Sequence, residues 1–106
     1  MDVPYVAVIF SSQRTPVERD QYDEAAAEME RLAAQQPGYL GIDSARGSDG
    51  FGITVSYWRT EDDARAWKAV AEHLDAQSSG RDRWYRSYDV RVATVTRQYG
   101  FSSEPA

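Results

Sequence analysis

The sequence predicts an α+β domain of the ferredoxin-like class, with one antiparallel four-stranded sheet and two helices on one face of it. Three observations predict this class. Four segments have the pattern of a strand, either apolar on both faces, alternating, or bounded by turn residues, and two carry apolar residues at the spacing of a helical face. These segments follow one another in the order βαββαβ. No linker or low-complexity stretch interrupts them, so we expect one domain over residues 1–106, with a core from 5 to 100 and a polar tail from 101 to 106.

The first strand is predicted over Tyr5–Phe10, where the residues YVAVIF are apolar on both faces. A strand of this kind is covered on both sides and lies centrally in its sheet. The following Thr15–Glu18 segment has a hydroxyl at the N-cap, proline at the first helical position and glutamate at N3, which is a capping box. The first helix therefore starts there, and it ends before Pro37 and Gly38.

A hairpin is predicted next, with strands over Tyr39–Ala45 and Phe51–Trp58 joined by the turn residues Gly47–Gly50. In the second of these strands the side chains alternate between a large apolar face and a small, more polar one. The smaller face consists of Gly52, Thr54, Ser56 and Trp58, and its mixed character is suited to lining a cavity.

The second helix is predicted to be capped by Thr60, with acidic residues in its first turn where the helix dipole favours negative charge. It should run to about Gln77 and stop by Gly80. A turn from Arg81 to Ser87 then leads to the last strand, predicted over Tyr88–Tyr99 from its alternating pattern.

Composition excludes several classes of function. The chain has a net charge of -5, no cysteine and one histidine. Disulfides, thiolate chemistry and a metal site of several histidines are therefore excluded within one chain, and we expect no bound metal. The scattered basic residues do not form the patch of a nucleic-acid-binding protein. No apolar run approaches the roughly 20 residues that cross a membrane, and no leader pattern is present, so we expect a cytoplasmic protein.

The predicted arrangement leaves one face of the sheet uncovered. Two helices cover only one face of four strands, yet the first strand is apolar on both faces. A second copy of the chain is the simplest cover for the other face. The sequence therefore predicts a homodimer in which the two sheets face each other.

The residues that suggest chemistry lie between Tyr57 and Tyr88, a stretch that holds all three tryptophans and the one histidine. On the second helix, Trp67 shares one stripe with Val70, Ala71 and Leu74, and this stripe is expected to face the sheet. Trp67 is interpreted either as a core anchor or as part of a pocket wall. His73 is about 120° away from Trp67 around the helix axis, and two interpretations stay open for it: a surface residue, or a general base or ligand at a cavity rim.

The other candidates also have two interpretations each. Asp63 is either a first-turn charge or a substrate contact. The arginines of the turn, Arg81, Arg83 and Arg86, either pair with surface carboxylates or stabilise developing negative charge on a substrate. The aromatic residues Trp58, Trp84 and Tyr85 are interpreted as cavity wall or dimer contact.

The motifs YVAVIF, PGYLGIDSARG, FGITVSYW, AWKAVAEH and YDVRVATV together resemble the antibiotic-biosynthesis monooxygenase (ABM) family, over Tyr5 to Gly100. The resemblance implies a dimeric α+β barrel. Some members are cofactor-free oxygenases of aromatic polyketide intermediates and others cleave haem. In the former, a tryptophan, an asparagine and a tyrosine on the second helix act with an arginine from the following turn. The matching positions here are Trp67, Asp63, His73 and Arg86, so two of these residues differ from the pattern.

We therefore expect a cofactor-independent monooxygenase that oxidises an electron-rich phenolic, polyketide-like molecule with O2. No flavin or nicotinamide fingerprint is present, so the substrate itself must supply the electrons. His73, Trp67 and Arg86 are the predicted catalytic residues. The predicted substrate contacts are Trp58, Asp63, Val70, Arg83, Trp84 and Tyr85. The alternative is a dimer that binds haem or another hydrophobic ligand without turnover, and a third possibility is a purely structural interaction domain.

Overall fold

The computed structural model of the chain describes residues 1–16, 19–78 and 84–104. Within them the elements are β1 (Tyr5–Arg14), α1 (Arg19–Ala33), β2 (Tyr39–Arg46), β3 (Phe51–Trp58), α2 (Glu61–Ser78) and β4 (Tyr85–Val95). This is the predicted βαββαβ order, and the fold is ferredoxin-like α+β. Among the described residues, no helix is long and apolar enough to cross a membrane.

The four strands form one antiparallel sheet in the order β2-β3-β1-β4. β1 is an inner strand, as its apolar sequence predicts, because it pairs with β3 on one side and β4 on the other. The register places Val6 opposite Trp58 and Val8 opposite Ser56. Side chains at paired positions lie on the same face of a sheet. The helix-covered face of β3 therefore consists of Gly52, Thr54, Ser56 and Trp58, as the alternation predicts.

The buried core lies at the Trp58 end of this face. It consists of Val6, Trp58, Ala33 from α1 and Ala64 from α2, with Val8, Tyr39 and Trp67 packed against it. Trp58 has no exposed surface, and aromatic side chains contribute the largest apolar areas to a core. Both helices are therefore anchored at one end of the sheet through small alanine side chains that allow close approach.

The start of α2 has the predicted cap. The backbone N–H of Asp63 donates a hydrogen bond to the Thr60 hydroxyl at 3.1 Å, and this hydroxyl donates to the Asp63 carboxylate at 3.0 Å. The side-chain oxygen thus satisfies one of the orphan N–H groups of the first turn. At α1 the observed helix begins at Arg19, and Val17 and Glu18 of the predicted capping box lie outside the described residues.

Two strand boundaries differ from the prediction for one shared reason. β1 continues to Arg14, four residues beyond the predicted end, and β4 begins at Tyr85 rather than at Tyr88. The polar end of β1 and the predicted turn are in fact paired with each other, with Arg14 opposite Tyr85 after a register shift. β4 also ends at Val95 rather than at Tyr99, because β1 has no residues left to pair with it beyond Tyr5.

The face of the sheet opposite the helices carries exposed apolar side chains. Ile53 and Phe51 of β3 are 42% and 45% exposed on it, and Ile9 lies opposite Val55.

Candidate functional site

A cavity of about 210 Å³ lies between the two helices and the covered face of the sheet. It is next to the core and extends towards the middle of β1 and the start of β4, where Phe10 and Tyr85 line it. Its larger wall residues are apolar or aromatic: Phe10, Tyr22, Met29, Ile42, Trp67, Trp84 and Tyr85. A concave, mostly apolar site with a few polar groups is the usual form of a small-molecule site.

The wall at the core end is fixed by a stack of two indoles. The ring centroids of Trp58 and Trp67 are 6.0 Å apart and their planes differ by 22°. The Trp58 ring nitrogen donates to the buried Ser56 hydroxyl at 2.8 Å, which holds the Trp58 ring in place. Trp67 is therefore backed by a rigid aromatic surface, and its own ring is presented to the cavity.

The floor of the cavity is a patch of hydroxyl groups on β2 and β3. Ser44, Thr54 and Ser56 all line it, and the hydroxyls of Ser44 and Thr54 are hydrogen-bonded at 2.8 Å across the two strands. This confirms the prediction that the small face of β3 lines a cavity. Such hydroxyls can accept or donate hydrogen bonds to oxygen substituents of a ring.

The end of the cavity away from the core is built from two phenols. The Tyr22 and Tyr85 rings are edge-to-face with centroids 5.9 Å apart, and their hydroxyl oxygens are 3.5 Å apart. Trp84, only 5% exposed, packs edge-to-face on the same Tyr22 ring at 5.9 Å. Behind Tyr22, the Arg46 guanidinium donates to the Tyr22 hydroxyl at 3.1 Å.

Two further tyrosines, whose pKa values are raised, lie outside the cavity. The pKa of Tyr57 is raised because its hydroxyl donates to the Asp43 carboxylate at 2.8 Å, with burial as a smaller cause. The pKa of Tyr39 is raised chiefly by burial against Trp58. Neither side chain lines the cavity, so both phenols are part of the packing of the sheet and not of the site.

The structure brings together only part of the predicted site. Trp67, Trp84 and Tyr85 line the cavity, and Trp58 lies directly behind Trp67. Val70 is half-buried and is not among the lining residues. Asp63 accepts the hydrogen bond of the capping Thr60 hydroxyl and lies against Gly38, whose φ of +79° and missing Cβ make room for the carboxylate.

Two predicted catalytic residues lie away from the cavity. The side chains of His73 and Arg86 are exposed and are not among the residues that line it. His73 thus has the surface position that the sequence left open, because its turn of α2 directs Leu74 rather than His73 towards the protein interior. Arg81 and Arg83 lie outside the described residues.

Sequence reasoning missed three residues at this site. Tyr22 fits the apolar stripe of α1, and this spacing does not distinguish a cavity wall from a packed core. Arg46 lies between the predicted strand Tyr39–Ala45 and the predicted turn, although period two places it on the same face of β2 as Ile42 and Ser44. Glu30, an exposed carboxylate of α1, also lines the cavity and so lies at its opening. Among the described residues, no three His, Cys, Asp or Glu side chains converge as a metal site.

Comparison with curated proteins shows two informative relatives. The chain is 53% identical over 95 residues to the uncharacterized protein YqjZ of Bacillus subtilis, a match that covers 90% of this chain and 82% of that protein. It is also 32% identical over 94 residues to the jasmonate monooxygenase ABM of Pyricularia oryzae. That match covers 85% of this chain but only 43% of the fungal protein.

Solved structures share the fold at low sequence identity. SnoaB from Streptomyces nogalater, described as a cofactor-independent oxygenase, has a TM-score of 0.68 and 15% identity, covering 92% of this chain and 97% of SnoaB. A putative antibiotic biosynthesis monooxygenase from Nitrosomonas europaea has a TM-score of 0.71 and 18% identity, covering 94% and 97%. The sequence model of the antibiotic biosynthesis monooxygenase family matches residues 5–79. On this match and the 53% identical relative, the chain belongs to the antibiotic biosynthesis monooxygenase family.

Proposed function

We propose that the chain is a cofactor-independent monooxygenase that binds a small electron-rich aromatic molecule in the cavity between the helices and the sheet. The observation that carries this proposal is the lining of that cavity, where aromatic walls surround a few hydroxyl groups. Family membership supports oxygen chemistry, since one sequence relative is named as a monooxygenase and one structural neighbour as a cofactor-independent oxygenase. Because one fold serves many functions, the site itself carries the proposal.

The cavity favours a flat ligand of one or two rings. Its volume of about 210 Å³ is below the roughly 300–1,000 Å³ of drug-sized sites. Trp67 and Phe10 offer apolar ring surfaces, against which an aromatic ligand packs by offset stacking or edge contacts. The hydroxyls of Ser44 and Thr54 then lie within reach of oxygen substituents on the ring. This combination suits a phenol, hydroquinone or anthrone better than an aliphatic chain.

The chemistry needs no electrons from outside the substrate. An acidic C–H or O–H of the substrate loses its proton, and the resulting carbanion or enolate reduces O2 to form a C–O bond in a hydroperoxide. Loss of the second hydrogen on that carbon together with hydroxide gives a carbonyl and one water. One oxygen atom of O2 is thus inserted and the other becomes water, while the carbon is oxidised. The protein's task is to bind the substrate, favour its anion and exclude bulk water.

Two residues are candidates for the proton acceptor. His73 is proposed from the resemblance, because an imidazole is a side chain that can accept a proton in general base catalysis. Glu30 is proposed from geometry, because a general base must come within hydrogen-bond reach of the proton and Glu30 lines the cavity. We place Glu30 first, since the exposed His73 would need a rearrangement of α2 or another chain to reach the substrate. Arg86 is also exposed, and it would need a rearrangement or another chain to reach and stabilise the substrate anion.

The functional unit is proposed to be a homodimer. The open face of the sheet carries Phe51 and Ile53, and the chain after β4 carries Tyr99 and Phe101, which are 87% and 93% exposed. A second copy would cover both apolar surfaces, whereas a lone chain would leave them in water. Covering the sheet in this way also closes the barrel that the family resemblance implies.

Oxygen uptake tests the function. With anthrone as the probe, we expect the protein to consume O2 faster than the buffer alone, without added metal, flavin or nicotinamide. Trp67→Ala should lower the rate, and Lys68→Ala, the neighbouring exposed position on α2, should leave it unchanged. Glu30→Gln and His73→Ala separate the two proposed bases, because only the true base lowers the rate. A rate equal to that of buffer, together with a Soret shift on titration with haemin, would instead favour a ligand-binding protein without turnover.

A further inference from the structure

A cluster of positive charge lies behind the phenol end of the cavity. The Arg46 guanidinium donates to the hydroxyls of Ser12 at 2.7 Å and Tyr22 at 3.1 Å, and to the carbonyl oxygen of Gly50. The Arg14 guanidinium carbon lies 4.0 Å from the centroid of the Tyr22 ring, and that of Arg46 lies 5.4 Å from it. Two cations are therefore directed at one phenol.

These two cations are not neutralised by carboxylates in the part of the chain that the structure describes. Arg31 and Arg65 on the surface pair with glutamates at 2.5 and 3.0 Å, but no ion pair within 4.0 Å involves Arg14 or Arg46. Both are partly buried, and Ser12, which receives the Arg46 hydrogen bond, is only 2% exposed. Within that part of the chain, two partly buried positive charges therefore lie behind this end of the cavity without a carboxylate partner.

Tyr22 connects Arg46 with the cavity, because its hydroxyl is hydrogen-bonded to Arg46 and its side chain lines the cavity. Its oxygen accepts a hydrogen bond from Arg46 and lies 3.5 Å from the Tyr85 hydroxyl, which can donate to it. A phenol oxygen has two acceptor positions and one proton. Among the described residues no acceptor is found for the Tyr22 proton, and Tyr22 lines the cavity. Its O–H is therefore available to an oxygen atom of a ligand.

We propose that Tyr22 forms an oxyanion subsite that binds an acidic oxygen of the ligand, a phenolate, enolate or carboxylate, with Arg46 as a positioning residue. Arg46 holds the Tyr22 oxygen as an acceptor, so the Tyr22 proton points to the ligand, and a hydrogen bond to an ionised oxygen is stronger than one to a neutral oxygen. The inference rests on the proposed function for the use of the cavity as a ligand site. It does not depend on turnover.

The subsite is tested by the preference for an anion over its neutral counterpart. We would measure the dissociation constants of 2-naphthoate and of the neutral 2-naphthalenemethanol by calorimetry at neutral pH. The wild-type protein should bind the naphthoate more tightly. Tyr22→Phe keeps the ring on which both arginines pack and removes only the hydroxyl. It should weaken naphthoate binding by roughly ten- to a hundredfold and the alcohol by several-fold less.

Three further variants separate the subsite from general effects. Arg46→Met should lower the same preference, and Arg46→Lys, which keeps the charge, should restore part of it. Tyr39→Phe removes a phenol outside the cavity and should change neither constant. Melting temperatures would show whether the Arg46 variants fold, and Tyr22→Phe alone decides the question if they do not. A third probe, 2-naphthol ionised at higher pH, distinguishes a phenolate subsite from a carboxylate one.

The outcomes also separate this inference from the proposed oxygenase. A lowered preference in Tyr22→Phe without oxygen uptake by the wild type would support the subsite and reject the oxygenase. Oxygen uptake with an unchanged preference would reject the subsite and leave the oxygenase standing. Equal binding of the two probes by the wild type, or no binding of either, would also overturn the subsite.

Discussion

The buried hydrogen bond between Trp58 and Ser56 gives the sharpest test of how the cavity wall is held. The Trp58 ring N–H donates to the Ser56 hydroxyl at 2.8 Å, and the two residues are 0% and 6% exposed. Ser56→Ala removes the acceptor and leaves a buried N–H group unsatisfied. We expect this variant to lose stability, because Trp58 is fully buried and its indole N–H loses its hydrogen-bond acceptor.

The size of the effect follows from the burial. Leaving a buried donor unsatisfied costs about 1–3 kcal/mol, whereas an exposed hydrogen bond is replaced by water. Ser44 is the matched control, because it lines the same cavity and its hydroxyl bonds Thr54 at 2.8 Å at an exposed position. Ser44→Ala should therefore change the free energy of unfolding by less than about 0.5 kcal/mol.

Urea unfolding followed by tryptophan fluorescence measures the difference, at one fixed protein concentration so that any dimerisation contributes equally. A double-mutant cycle with Trp58→Phe then isolates the bond, because Phe lacks the N–H. The coupling energy should be near 1 kcal/mol. Equal destabilisation by Ser56→Ala and Ser44→Ala, with no coupling in the cycle, would refute the reasoning.

Three further predictions follow from the same contacts. Thr60→Ala should destabilise the domain by about 1 kcal/mol by removing the cap of α2, and a melting curve unchanged from the wild type would contradict this role. The raised pKa of Tyr57 means that the folded protein keeps the phenol proton to a higher pH than the unfolded chain, so the free energy of unfolding should fall as the pH rises above about 10. Tyr57→Phe should lessen that fall in urea titrations between about pH 9 and pH 11. An equal fall in the variant and the wild type would contradict this reasoning. Light scattering at micromolar concentration should give a dimer mass for the wild type and a monomer mass for Ile53→Lys, and a monomeric wild type would overturn the dimer.

The sequence predicts most of this fold because its patterns are local. The alternation in β3 places Thr54 and Ser56 on the covered face, and the pair of Thr60 and Asp63 marks the start of α2. The ends of β1 and β4 could not be obtained in this way. Their residues are polar or resemble a turn, and only the pairing of Arg14 with Tyr85, far apart in the chain, makes them strand.

The site was less predictable, for a physical reason. Helical periodicity directs Tyr22 and Trp67 towards the sheet, but it does not say how far the helices stand from it, so a cavity wall and a packed core have the same pattern. Arg46 gains its importance only from contacts with Ser12 and Tyr22, which come from two other elements. His73 shows the opposite case, since an unusual residue type drew attention to a position that the fold leaves on the surface.

Labelled oxygen tests the central claim most directly. The wild-type protein would be incubated with anthrone under ¹⁸O2 in metal-free buffer, and the product analysed by mass spectrometry against a buffer control. A cofactor-independent monooxygenase should put one ¹⁸O atom into the product carbonyl and the other into water, at a rate above the control that falls in Trp67→Ala. Product formed no faster than in buffer, or product carrying oxygen from water alone, would contradict the account.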